Sequence, residues 1–208
     1  MSIVTLNDRG VRSVSAFGSL SGGSMVFIKK LTASSSGDLS FVNGASSVVL
    51  DSTYKEYLFT FKDIHPASDG VNFTFNGSDD SSSHSYDITK TTAVFRYYHG
   101  EDGSNGSMAY SSSTDLAQST SDQRLNHGDQ LGNGSDENFT GYLHLFNPSS
   151  TTFVKHFIAQ TQMNSATNYS VGGNTAGYFN TTSAITAIQF KMSSGNIDAG
   201  DICLYGIL

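Results

Sequence analysis

From Met25 onward, apolar residues recur at every second position in short runs separated by Gly, Ser, Asn and Asp. A period of two predicts β-strands, because successive side chains of a strand point to opposite faces of a sheet. Tyr57, Phe59 and Phe61 share one parity while Lys55, Glu56 and Thr60 turn away or into a loop. The pair His65-Pro66 ends that run, since proline restricts the residue before it and cannot donate to a ladder. Val71, Phe73 and Phe75 alternate with Asn72, Thr74 and Asn76, as expected for a strand with one wet face. Val26 with Ile28, Leu39 with Phe41, and Val48 with Leu50 mark shorter runs. Residues 93–98 are apolar or aromatic on both parities apart from Arg96. Residues 139–146 and 153–159, joined by the NPSS turn at 147–150, predict an antiparallel hairpin.

The C-terminal stretch, residues 181–208, is the most strand-like of all. Ile188, Phe190 and Met192 fall on one parity and Ile185 and Ala187 on the other, the pattern of a strand covered on both faces. Residues 193–200 can turn the chain, and residues 202–208 resume as a second apolar strand, so the chain is expected to finish inside its own core. Attachment to anything larger would then come from the other end or from a side surface. Cys203, the single cysteine, forms no intrachain disulfide and reads as a small core residue.

Between the runs lie polar stretches at 76–85, 100–107, 119–138 and 164–174, read as loops, with a single helical turn at 114–118 capped by Ser113 or Thr114. Roughly eight to ten strands, no long helix and no Cys–Trp–Cys core predict an all-β fold, an antiparallel β-sandwich in jelly-roll style. Residues 119–138 are the longest stretch without a pattern, and long loops of this kind tend to be functional or mobile. Residues 1–24 differ from the rest: a Gly/Ser hinge at 19–24 follows a short apolar piece and a turn. They are expected to form an extended N-terminal docking arm with Arg9 and Arg12 as charged contacts, leaving residues 25–208 as the sandwich domain.

Composition narrows the partners. Eleven Lys and Arg against 18 Asp and Glu give a net charge of −7, and no basic cluster exceeds the pair Lys29-Lys30. Nucleic acid and anionic membranes are therefore excluded as expected partners. No run of about 18 apolar residues and no signal-like leader is present, so synthesis in a cytoplasm without membrane insertion is the expectation. The core is supplied by 14 Phe and 10 Tyr with no Trp.

Candidate chemistry is sparse. Asp102-Gly103-Ser104-Asn105-Gly106 places oxygen ligands at alternate positions, as a calcium loop begins, but it lacks the closing carboxylate; a solvated turn is the simpler reading, there and for Asp79-Asp80 with Asp87. His99-Gly100-Glu101 looks like half of a zinc deaminase signature, which one cysteine cannot complete. The six histidines are scattered; His144 and His156 fall on facing hairpin strands, where hydrogen-bonded imidazoles are a simpler reading than a metal pair. Seven Asn-x-Ser/Thr triplets follow from composition, and no glycosylation is assigned. No catalytic residue, metal ligand or cofactor is expected. Tyr among Asn, Ser and Gly is the composition of an adaptable recognition surface, which singles out Tyr97, Tyr98, Tyr110 and Tyr169. Within the long loops and beside them, Tyr110, Arg124 and His127 are the candidate contacts to a receptor, a polar partner such as a host surface glycan.

The segments VTLNDRGVRSVSAFGSL (4–20), YLFTFKDIHPASDGVNFTFNG (57–77), GYLHLFNPSSTTFVKHFIA (141–159) and TAGYFNTTSAITAIQFKMSSGNIDAGDICLYGIL (175–208) resemble virion structural proteins of tailed bacteriophages, marine and cyanobacterial phages above all. The resemblance implies a place in the particle, other virion proteins as partners, no catalytic residues, and an N-terminal segment that docks while the β-domain faces outward. It also implies a homo-oligomer, with a trimer preferred. A tail-fibre or receptor-binding surface protein for host attachment is the leading expectation. A capsid decoration protein is its close alternative, and a carbohydrate-binding module without a virion role a more distant one. A hydrolase lacks any acid–base constellation.

Overall fold

The computed structural model describes residues 24–208. The arm expected for residues 1–24, with Arg9 and Arg12, thus lies almost wholly outside the described residues. Twelve strands make up the fold: β1 (Met25–Thr32), β2 (Leu39–Val42), β3 (Glu56–Pro66), β4 (Phe73–Ser78), β5 (Lys90–Gly100), β6 (Gly106–Tyr110), β7 (Gln123–Arg124), β8 (Phe139–Phe146), β9 (Lys155–Asn164), β10 (Tyr169–Phe179), β11 (Ala187–Met192) and β12 (Ile197–Ile207). The strands divide into an eight-stranded sheet, ordered β1-β12-β3-β8-β9-β10-β5-β6, and a four-stranded sheet, ordered β2-β11-β4-β7. Every pairing is antiparallel. The expected antiparallel β-sandwich is the fold of the described residues, and no helix interrupts it.

The parity read from the sequence decides which side chains enter the core. Tyr57, Phe59 and Phe61 point inward from β3, Leu143 and Leu145 from β8, and Phe73 and Phe75 face them from β4. Phe190, in the middle of the small sheet, is the hub: its ring lies 5.2–6.3 Å from those of Phe41, Phe59, Phe61, Phe73 and Phe75. Mostly edge-on and tilted aromatic contacts of this kind add about 0.5–1.5 kcal/mol per pair to the gain from burial. The hairpin of β8 and β9 forms around its turn, with Leu143 opposite Ala159.

Several stretches expected to be loops are structured. Residues 100–107 hold a tight turn and the start of β6, which pairs with β5 from Phe95↔Tyr110 to His99↔Gly106. β10 begins at Tyr169, inside the loop expected at 164–174. Residues 114–118 contain no helical turn; the chain turns three residues earlier, where Thr114 N and Asp115 N both donate to Ser111 O at 3.2 Å. Val48 and Leu50 are buried without belonging to a strand. β11 and β12, adjacent in sequence, belong to different sheets. Cys203 is a correction: Ile202 and Leu204 take the inward parity of β12, so the thiol lies half-buried on the outer side beside Tyr205.

Residues 119–138 are the largest correction. Leu125 and Leu131 are completely buried, and Gln123, Asn126 and His127 are buried with them. Few backbone ladder bonds hold the segment; amide side chains take their place. Asn126 Oδ1 accepts from Phe73 N at 3.0 Å, and its Nδ2 donates to Asn72 Oδ1 and Asp129 O. Asn76 Nδ2 donates to Thr120 O at 3.0 Å, and Gln123 Nε2 to Thr114 O at 2.9 Å. Buried polar groups must be paired, and these side chains pair them where the sheet ends.

Candidate functional site

Two surfaces stand out. The first is the outer face of the eight-stranded sheet. Strand register places Phe27, Tyr205, Leu58, His144, Ile158 and Ala176 in one continuous row across six strands. A parallel row runs from Tyr110 through Phe95, Asn174, Gln160 and Tyr142 to Thr60. Met108 is 66% exposed, Phe27 58% and Tyr110 53% on this side of the molecule.

Glycines shape the face. Tyr97 lies over Gly172, where an added Cβ would come 2.4 Å from its ring. Gly141, with φ +148°, lets β8 pass so close to β9 that a Cβ would sit 2.4 Å from Gln160 O. An open depression of about 570 Å³ results, walled by Tyr97, Tyr142 and Leu58 and floored by Thr140, Gly141 and Thr161. Tyr142 Oη donates to Gln160 Oε1 at 2.9 Å across it. Charged groups on the face are few and partnered: Lys30 pairs with Asp201 at 3.1 Å near the β1 edge, Glu56 on β3 lies 3.3 Å from His144 Nε2 on β8, and Asp115 is bonded to Tyr110 at the β6 edge.

The second surface is the loop end, where the 99–106 turn, residues 127–130 and the start of β10 meet. Arg96 and Tyr98 from β5 and Tyr169 from β10 line a cavity of about 270 Å³ with Asn105, Gly128 and Asp129.

The three candidate receptor residues are not brought together. Tyr110 lies on the outer sheet face, bonded to Asp115, whose carboxylate holds the phenol's pKa above its ordinary value. His127 is 1% exposed and cannot touch a receptor. It lies beneath β9 and β10, filling the space opened by Gly173, where a Cβ would be 2.3 Å from its ring. Thr161 Oγ1 spends its proton on Leu125 O at 2.7 Å, so at 3.0 Å it accepts from His127 Nε2; the imidazole is the Nε2–H tautomer, and its Nδ1 has no partner. Burial, assisted by the Arg124 charge, pushes its pKa down to about 4. Arg124 is half-buried with Nε unpaired, and burial lowers its pKa against the pull of Asp129.

The remaining candidates are turn and strand residues. Asp102 Oδ1 accepts from Ser104 N at 2.9 Å, and Asp80 accepts from Ser85 N, each closing a turn. His144 is opposite Ile158 and His156 opposite Tyr178, so the two imidazoles are not direct cross-strand partners. Among the described residues no three His, Cys, Asp or Glu side chains gather as a metal site requires. Sequence reasoning singles out Tyr98 and Tyr169 but misses Arg96, Gly128 and Asp129; the only signal in the chain is Arg96 interrupting an otherwise apolar strand.

Compared with protein-family models, with curated proteins and with solved structures, the chain matches none of them.

Proposed function

We propose that the protein is a non-enzymatic structural component of a tailed-bacteriophage virion, a tail-fibre or receptor-binding surface protein, assembled as a homo-oligomer through the outer face of its large sheet. A trimer is the preferred state. The observation that carries the assembly reading is the mostly apolar row from Phe27 to Ala176, interrupted by His144, on a face that also displays Met108, Tyr110, Phe95 and Tyr142. Taking about 200 Å² per large side chain, their exposed parts amount to roughly 700 Å². A stable interface buries about 800 Å² per partner, and single-chain proteins seldom leave so large an apolar patch in water.

A second copy is the occupant this face suits. A chain of net charge −7 repels its own copies except through a surface of low net charge, and the acidic strand residues of this face, Asp201 and Glu56, lie beside Lys30 and His144. The virion part of the reading rests on the resemblance of the four segments quoted above. Sedimentation at micromolar concentration, paired with a density map of the intact particle, tests both parts. A homo-oligomer present in several copies per particle supports the proposal; a monomer whose density is missing from the particle overturns it.

A further inference from the structure

We propose that the loop end is a two-unit site for an acidic oligosaccharide, with a carboxylate-bearing sugar over Arg96 and a neutral sugar on the far side of Tyr169. This rests on the receptor-binding half of the function proposed above and is independent of the assembly half.

Arg96 supplies the anion recognition. Its guanidinium carbon lies 5.2 Å from the centre of the Tyr98 ring, a cation–π contact that anchors the fork over the ring. Gly128 makes room for it: a Cβ there would begin 2.1 Å from Arg96 Nη1. Among the described residues no carboxylate comes within ion-pairing distance of this guanidinium, although it lines a cavity. A planar, oriented, unpaired cation is suited to a carboxylate brought in by a ligand.

The rest of the cavity asks for hydroxyl groups and a C–H face. The rings of Tyr98 and Tyr169 stand 5.7 Å apart at 77°, giving two walls at nearly a right angle rather than a slot for a flat base. Tyr169 Oη accepts from Asn105 Nδ2 at 3.2 Å, which leaves its own proton for a ligand. Each oxygen of Asp129 already takes one bond, from Gln130 N at 2.8 Å and from Thr167 Oγ1 at 2.6 Å, and each keeps a lone pair for a hydroxyl donor.

Across Tyr169 lies a second cavity of about 390 Å³, lined by Glu101, Asp102, Thr167 and Asn168. Two carboxylates there accept hydroxyl hydrogens and repel a second anion. Arg96 offsets the single Asp129 carboxylate in the first cavity, whereas the second is lined by two carboxylates and no Lys or Arg, so the charge order selects a chain in which an acidic unit adjoins a neutral one. A polyphosphate or nucleic acid would place anions against both acidic walls, and is disfavoured.

The test uses the folded protein with a panel of uronate- and sialate-bearing oligosaccharides and their carboxyl-reduced counterparts, measured by calorimetry and by ligand-observed NMR. Acidic members should bind, and carboxyl reduction should weaken them by roughly tenfold or more, the value of a charged hydrogen bond. Arg96→Gln should erase that difference, Arg96→Lys restore part of it, and Tyr169→Ala weaken both forms. Equal affinity for acidic and reduced partners overturns the proposal, as does unchanged binding by Arg96→Gln or no binding across the whole panel. The reduced-sugar comparison uses the unaltered chain, so it decides even if a variant misfolds. Oligomer mass is read separately: a monomer that still discriminates the carboxylate would sink the assembly reading alone.

Discussion

Lys90 Nζ donates to Asn76 Oδ1 across 2.7 Å in the interior of the sandwich, where the Lys90 side chain has no exposed surface. A second bond goes to Ile88 O at 2.9 Å, and among the described residues no carboxylate pairs with the ammonium directly. Burial pushes its pKa down to about 8, against the weaker opposing pull of Asp122 and Asp87. Between pH 8 and 10.5 the unfolded chain keeps this proton and the folded one has released it, so stability rises with pH through that window. Each tenfold difference in proton affinity between the two states is worth about 1.4 kcal/mol, so the gain approaches roughly 3 kcal/mol. Lys90→Met should flatten the rise. Denaturant unfolding from about pH 7.5 upward checks it.

Tyr57 sets the upper limit of that rise. Its ring is fully buried, its hydroxyl donates to Asp51 O at 2.8 Å, and burial raises its pKa to about 12. From pH 10 to 12 the folded state holds a proton that the unfolded chain has lost, so stability falls. The expected curve peaks near pH 10, and Tyr57→Phe should remove the descending limb due to this group.

His127 governs the acid side. With a folded pKa of about 4 against 6.5 when free, its contribution is complete above pH 6.5 and is lost as pH falls toward 4. The loss is on the order of 3 kcal/mol. His127→Gln should lower stability at neutral pH, through the lost packing against Gly173, and flatten the slope between pH 6.5 and 4.

Leu125→Ala and Leu131→Ala should each cost about 2–5 kcal/mol, since both side chains are completely buried. Replacing residues 119–138 by a Gly/Ser linker should prevent folding. Thermal unfolding of the three variants is the measurement, and melting temperatures equal to that of the parent would contradict the assignment of this segment to the core.

That segment also shows where sequence reasoning fails. Strand parity was legible at Tyr57, Phe59 and Phe61, and again at Phe73 and Phe75, because regular alternation needs no knowledge of the partner strand. Residues 119–138 carry isolated apolar anchors, Leu125 and Leu131, among polar residues. Their order comes from the side chains of Asn76, Gln123 and Asn126, which stand in for ladder bonds and leave no period to detect. β6 escaped notice because all five of its residues are exposed and it borrows its register from β5. The loop-end cavity draws residues from three distant segments, so Arg96 and Asp129 acquire a common meaning only once the chain is folded.

The assembly face yields the last prediction. Ile158 is 46% exposed in the Phe27 to Ala176 row, between His144 and Ala176. Ile158→Glu should leave the melting temperature nearly unchanged while weakening self-association by roughly tenfold or more, through desolvation of a carboxylate at an apolar contact. Light scattering across a dilution series reads the change. Full assembly by this variant would place the interface elsewhere.

Among the described residues β1 has a single partner strand, β12, so the earliest described strand is ordered by the last described one to leave the ribosome. Lys30 and Asp201, which join them, are 171 residues apart in sequence. Until β12 arrives, β3 has an open edge and β1 has nowhere to go, a long exposure for strands as apolar as Tyr57 to Phe61. Contacts of such separation make folding slow, on the millisecond-to-second scale or beyond. Nascent chains stalled before Ile197 should therefore be the species that chaperones hold, and the large sheet should close in one late step.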